Sequence, residues 1–183
     1  MDRRTALKQS ALFAGGLAML PSCNFGPDRE LVALENLQID LEHQDLLARV
    51  IETILPSGKE IPGAESLNLY RFVLVMVDDC EPIKQQQLFT AGLKQFKTFV
   101  KENIDQSFPQ KDQKLNEGIL TKVTSLDNDA EGLKEIQGFL TLARRYTIQG
   151  FMGSKYFLTE KFPYKLVPGP YQDCVDSEGL TVM

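Results

Sequence analysis

The chain has 183 residues, of which 43% are hydrophobic and 25% are charged, and its formal net charge is −5. This length is enough for one domain with a substantial core. The acidic balance argues against nucleic-acid binding, which requires a basic surface that can meet phosphates. The single histidine, His43, and three cysteines without a CxxC pair argue against a multi-histidine metal site, a zinc site and c-type haem attachment.

Residues 1–22 are predicted to be an export signal. A basic start precedes the apolar run 11–20, which is too short to span a membrane. The start RRTALK resembles a twin-arginine signal, which serves proteins that are exported already folded. The residues that carry this resemblance are Arg3, Arg4, Leu7 and Lys8.

The end of this signal predicts a lipid anchor. Leu20-Pro21-Ser22-Cys23 resembles a lipobox, in which Cys23 becomes the lipidated first residue of the mature chain. The alternative is a plain signal peptide that is cut elsewhere and leaves no lipid. The predicted location is the periplasm, reached by the twin-arginine route, with the chain anchored to a membrane through Cys23.

Two further cysteines, Cys80 and Cys174, remain if Cys23 is lipidated. In an oxidising periplasm they can form a disulfide that joins the C-terminal tail to an inner helix. The alternative is two separate buried thiols, because a free cysteine behaves as a small apolar residue. The sequence leaves both alternatives open, since it supplies no geometry.

The pattern after residue 39 is helical. Residues 23–39 are predicted to be a spacer, and residues 40–183 a single domain. Apolar residues recur at helical spacing in five segments. These run from Asp40 to Leu55, from about Glu60 to Asp79 with Pro62 in the first turn, from Pro82 to about Ile104, from about Asp112 to Val123, and from about Ala130 to Phe157. With no alternating run that would support a sheet, the fold is predicted to be an all-α bundle of about five helices.

Several side chains in these helices carry specific expectations. His43 is expected to be a solvated or capping residue in the first turn of its helix. Cys80 is expected to end a buried apolar stripe. The acidic group Asp78, Asp79 and Glu81 is expected to form a solvated helix end, and one or both of Arg144 and Arg145 to pair with acidic residues.

The C-terminal tail, residues 158–183, is predicted to run extended because glycine and proline interrupt any regular period. Its aromatic rings either seal the core or bind another protein, since they bring large contact area at low entropy cost. The predicted partner-contact residues are Tyr156, Phe157, Phe162, Tyr164 and Tyr171, with Pro168 and Gly169 fixing the path of the chain.

The sequence lacks the common catalytic signatures. It contains no GxGxxG, P-loop, nucleophile elbow or HExxH motif. No catalytic, cofactor-binding or metal-binding residue is predicted, and the chain is not expected to be an enzyme by itself.

The order and spacing of several turn and export signals resemble the gluconate 2-dehydrogenase subunit 3 family, over roughly residues 40–174. The residues that carry this resemblance are Arg3-Arg4, Ile54-Leu55-Pro56, Pro62-Gly63-Ala64, Gly150, Gly153, Tyr164, Pro168-Gly169 and Tyr171.

The resemblance implies a non-catalytic accessory subunit. Such a subunit binds a large FAD-dependent dehydrogenase of the GMC type, helps it mature and supplies the twin-arginine signal for joint export. FAD is expected in that partner, which oxidises a sugar or sugar acid, and a cytochrome c subunit often receives the electrons. The apparent lipobox adds a membrane anchor to this role. The alternative is a free-standing helical envelope lipoprotein that has no oxidoreductase partner.

Overall fold

A computed structural model describes residues 31–127 and 130–162 of the chain. The chain divides into two units, Met1–Glu30 and Leu31–Met183, and the described residues all belong to the second unit. The helices are α1 (Leu41–Ile54), α2 (Leu69–Cys80), α3 (Ile83–Ile104), α4 (Gln113–Ser125) and α5 (Leu133–Met152), followed by a π-helical turn (Phe157–Lys161). The described ranges contain no strand, and the predicted all-α bundle of about five helices is confirmed.

Two helices begin at aspartates that cap them. Asp40 precedes α1, and its carboxylate accepts the main-chain N–H of His43 at 2.9 Å. The ring Nδ1 of His43 lies 2.6 Å from the same carboxylate, which confirms the expected capping position of this histidine. Asp112 caps α4 in the same way by accepting the N–H of Lys114. Such caps satisfy main-chain N–H groups that have no partner within the helix.

The core lies between the helices and is rich in aromatic rings. Phe89 and Phe96 of α3 meet Phe139 of α5 edge to face, with ring centroids 5.3 and 5.7 Å apart. Phe108, from the loop after α3, packs against Phe96 at 5.2 Å. These four rings are buried, and edge-to-face pairs add to the free energy gained from burial alone.

Helices α3 and α5 approach each other closely at Gly92. A Cβ atom at this position would lie 2.2 Å from the main-chain oxygen of Glu135 and 2.6 Å from Cβ of Phe139. Because the nearest atom belongs to the backbone of α5, it cannot move aside as a flexible side chain would. The absence of a side chain at Gly92 therefore sets the distance between the two helices.

Gly92→Ala is expected to lower the free energy of unfolding by at least about 2 kcal/mol, because the added methyl group must push α3 and α5 apart. The measurement is urea unfolding followed by circular dichroism. Gly118→Ala on α4 is the matched control, since its Cβ would meet nothing within 4 Å. The control is expected to gain up to about 1 kcal/mol from helix propensity alone. A neutral or stabilising Gly92→Ala would contradict the close approach.

The second predicted helix begins later than expected. The prediction placed Pro62 in its first turn, but α2 begins at Leu69. The physical reason is the carboxylate of Glu52, which accepts the N–H of Ser57 at 3.1 Å and that of Glu65 at 2.7 Å. These bonds hold residues 55–68 in a folded loop rather than a helix.

The last helix ends earlier than expected. The prediction carried it to Phe157, but α5 ends at Met152. There the N–H of Gly153 still bonds to the oxygen of Gln149, and the N–H of Ser154 bonds to that of Phe151 in a tight turn. Residues after Phe157 were predicted to be extended, whereas Phe157–Lys161 form the π-helical turn, closed by a 2.8 Å bond from Phe162 N–H to the oxygen of Phe157.

The residues before α1 are packed rather than free. Residues 31–39, which we call the N-terminal strap, lie within the predicted spacer 23–39, yet Val32, Leu37 and Ile39 are buried in the core. This part of the predicted spacer therefore packs against the helical domain. Cys80 also differs from expectation, because it is exposed at the end of α2 rather than buried.

Candidate functional site

Three of the predicted partner-contact residues, Tyr156, Phe157 and Phe162, lie within the described part of the chain. Ten other predicted site residues lie outside it, and the predictions for them stand untested. They are Arg3, Arg4, Leu7, Lys8, Cys23, Tyr164, Pro168, Gly169, Tyr171 and Cys174. Because Cys174 is among them, the disulfide with Cys80 stays a prediction.

The aromatic residues after α5 fold back onto that helix. Phe151, which packs against the core, has its ring centroid 5.5 Å from that of Phe157 and 6.3 Å from that of Tyr156. The hydroxyl of Tyr156 donates a hydrogen bond to the main-chain oxygen of Glu60. This bond joins the turn after α5 to the loop between α1 and α2.

The same end of the domain exposes large apolar side chains. Phe162 and Met152 are each 53% exposed, and Ile61, which follows the Glu60 acceptor, is 44% exposed. We call the group Ile61, Phe151, Met152, Tyr156, Phe157 and Phe162 the aromatic end. It combines half-buried rings, which fix its shape, with exposed apolar side chains, which are typical of protein-binding surfaces.

A buried carboxylate lies at the opposite end of α2. Asp78, predicted to be solvated, is 4% exposed and accepts the main-chain N–H groups of Glu35, Asn36 and Leu37 at 2.7–2.9 Å. The prediction is wrong because these acceptor contacts come from residues more than 40 positions away, which no local pattern indicates. Burial of a carboxylate is tolerated when several donors satisfy its oxygens.

The neighbouring Glu81 is also sequestered, again against the prediction. Its Oε1 atom accepts a hydrogen bond from the hydroxyl of buried Tyr146, with 2.5 Å between the two oxygens. The guanidinium of Arg145 lies 3.3 Å from the same Oε1 atom. The Arg145 guanidinium also lies 4.8 Å from the centre of the Tyr146 ring. The predicted pairing of one or both of Arg144 and Arg145 with acidic residues is confirmed for Arg145. Burial, followed by the hydrogen bond to Glu81, raises the pKa of Tyr146 to about 12.

The raised pKa of Tyr146 predicts a loss of stability in alkali. Because this pKa exceeds the ordinary value of 10.0, the neutral phenol contributes fully to the free energy of unfolding below pH 10. This contribution is lost as the pH rises toward 12. Between pH 9 and pH 11 the free energy of unfolding of the wild type is expected to fall by about 1 kcal/mol more than that of Tyr146→Phe. Urea unfolding of both proteins at the two pH values measures this difference. Equal losses would show that Tyr146 ionises with its ordinary pKa.

Two open clefts lie elsewhere on the described surface. One, of about 480 Å³, runs between the strap and α3 and is lined by Asn36, Leu37, Gln38, Ile83, Gln86, Gln87, Thr90, Ala91 and Lys94. The other, of about 350 Å³, lies between α1 and α4, with Arg49 and Lys111 among its lining residues.

Within the described ranges, no cluster of three or more histidine, cysteine, aspartate or glutamate side chains could hold a metal ion. None of the described helices is long and apolar enough to cross a membrane.

Fold and surface together define a small all-α domain that presents an exposed aromatic end. A family model described as gluconate 2-dehydrogenase subunit 3 matches residues 42–169, well over half of the chain. The chain therefore belongs to the gluconate 2-dehydrogenase subunit 3 family, as the resemblance in the sequence predicted. The match begins inside α1 and ends beyond the aromatic end, and it leaves out the N-terminal strap. No curated protein and no solved structure matches the chain significantly.

Proposed function

We propose that this protein is the non-catalytic small subunit of a periplasmic, FAD-dependent sugar or sugar-acid dehydrogenase. In this role it binds the large GMC-type subunit, helps it mature, is exported with it and anchors it to a membrane. Membership of a family described as a dehydrogenase subunit carries this proposal. FAD belongs to the large subunit, and a cytochrome c subunit receives the electrons.

The aromatic end supports the partner-binding part of the proposal. Phe162, Met152 and Ile61 expose apolar surface at one end of the domain, where the Tyr156–Glu60 bond holds two loops together. Aromatic and methionine side chains are enriched at the centres of protein interfaces, because they bury large areas on binding. The large subunit is expected to cover this end.

The sequence supports the export part of the proposal. A flavoprotein that has already bound FAD requires an export route for folded proteins, and the Arg3-Arg4 start resembles the signal for such a route. Lipidation of Cys23 would then hold the exported complex at a membrane. In this proposal, one chain supplies the export signal, binds the flavoprotein during export and carries the lipid anchor.

The first test removes the exposed part of the aromatic end. Met152→Ala combined with Phe162→Ala is expected to weaken binding to the purified large subunit at least tenfold. The melting temperature should change by less than about 2 °C, because both side chains are largely exposed. Surface plasmon resonance and scanning calorimetry measure the two quantities.

Leu115→Ala is the matched control for this test. Leu115 is 51% exposed on α4, so the substitution removes comparable apolar surface from a different face. It is expected to leave affinity unchanged. Equal loss of affinity in the control, or unchanged affinity in the double variant, would remove the aromatic end from the interface.

The export proposal has a separate test in cells. Arg3→Lys combined with Arg4→Lys is expected to retain both this chain and the large flavoprotein in the cytoplasm. Cys23→Ala is expected to release the complex from membranes into the soluble periplasmic fraction. Cell fractionation followed by immunoblotting measures both outcomes. Export of the large subunit despite the arginine substitutions would show that this chain does not supply its signal.

A further inference from the structure

The N-terminal strap is attached differently from the helices. Six hydrogen bonds join residues 31–39 to the rest of the described chain, and each involves a side chain of Asn36, Gln44 or Asp78. Within the described ranges, no main-chain N–H of the strap bonds to a main-chain oxygen elsewhere. The hydrogen bonds that dock the strap therefore depend on Gln44 of α1 and Asp78 of α2.

Asp78 makes the larger contribution. One carboxylate oxygen accepts the N–H of Glu35 at 2.8 Å, and the other accepts those of Asn36 and Leu37 at 2.9 and 2.7 Å. Its main-chain oxygen accepts the side-chain amides of Asn36 and of Gln86 on α3. A short peptide segment thus wraps around one buried anion, in the manner of a backbone nest around a bound anion.

Gln44 fastens the start of the strap. Its side-chain amide exchanges two hydrogen bonds with the main chain of Val32, at 3.0 and 3.1 Å, and the Gln44 side chain is fully buried. The strap covers the core with Val32, Leu37 and Ile39. Gln44 lies on α1 and Asp78 on α2, so the docking site requires these two helices to be assembled.

We propose that the strap is a detachable element that docks and undocks as a unit, with Asp78 as the residue that controls it. A segment held by side chains alone, outside any helix or sheet ladder, can open locally while the helices stay folded. The family match begins at residue 42 and does not include the strap.

Undocking changes how far the domain can extend from its N-terminus. The strap has nine residues, so its release adds up to about 30 Å of free chain between residue 30 and α1. This consequence rests on the proposed function, in which the N-terminus anchors a dehydrogenase to a membrane. In that role, an undocked strap lengthens the free chain between the bundle and its anchor, so the anchored enzyme can reach further.

Hydrogen exchange of the full processed chain tests the proposal. Asp78→Asn is expected to raise the exchange rates of the Glu35, Asn36 and Leu37 amides at least about tenfold, while core amides such as Phe139 stay within about twofold. Asp79→Asn is the matched control, because Asp79 is exposed on the same turn, and it is expected to change neither set. Unchanged strap amides, or strap and core amides that accelerate together, would overturn the proposal.

A second measurement needs no substitution, so it decides the matter even if Asp78→Asn fails to fold. In the wild type, exchange of the strap amides is expected to depend weakly on urea, and exchange of core amides steeply, because local opening exposes less surface than global unfolding. The same steep dependence for both sets would overturn the proposal. Neither measurement involves the large subunit, so failure here leaves the binding and export tests of the proposed function unaffected.

Discussion

The close contact between α3 and α5 at Gly92 sets the geometry of the whole bundle. The main chain of Glu135 lies where a side chain at position 92 would otherwise lie. The backbones of α3 and α5 can therefore approach each other directly at this point. The Phe89–Phe139 ring pair sits beside this contact. Farther along α5, the same alignment brings Tyr146 to Glu81 and carries the chain to Met152, where the aromatic end begins.

Buried or partly buried polar side chains perform the second structural task, which is to fix segments that have no helix of their own. Asp78 holds the strap, Glu52 holds the loop before α2, and Gln44 holds the start of the strap. In each case a side chain on a helix accepts at least one main-chain N–H from a segment outside the helices, and for Asp78 and Gln44 these bonds are partly or fully buried. The bundle therefore presents ordered surfaces at both of its ends, with the aromatic end at one and the strap at the other end of α2.

Local patterns predicted the helices well, because the buried face of each helix appears in the sequence as apolar residues that recur at helical spacing. The apolar spacing around Leu47 and Ile51 and the capping Asp40 located α1 almost to the residue. The same reasoning failed for Asp78, because an acidic side chain is ordinarily expected to be exposed to solvent. The partners that bury Asp78 lie 41 to 43 positions away in the sequence. It also failed for Pro62, where a long-range carboxylate overrides a favourable helix start. Composition singled out Tyr156, Phe157 and Phe162 as candidate contact residues, whereas the bond from Tyr156 to Glu60 could be found only from the fold.

Capture of the processed protein from its native envelope is the sharpest test of its proposed role as the accessory subunit of a flavin-dependent dehydrogenase. A larger chain is expected to co-purify in fixed proportion, and the complex is expected to show flavin absorbance, which a sugar or sugar acid bleaches. A colourless protein that elutes alone as a monomer, from membranes solubilised under mild conditions, would show that this role is wrong.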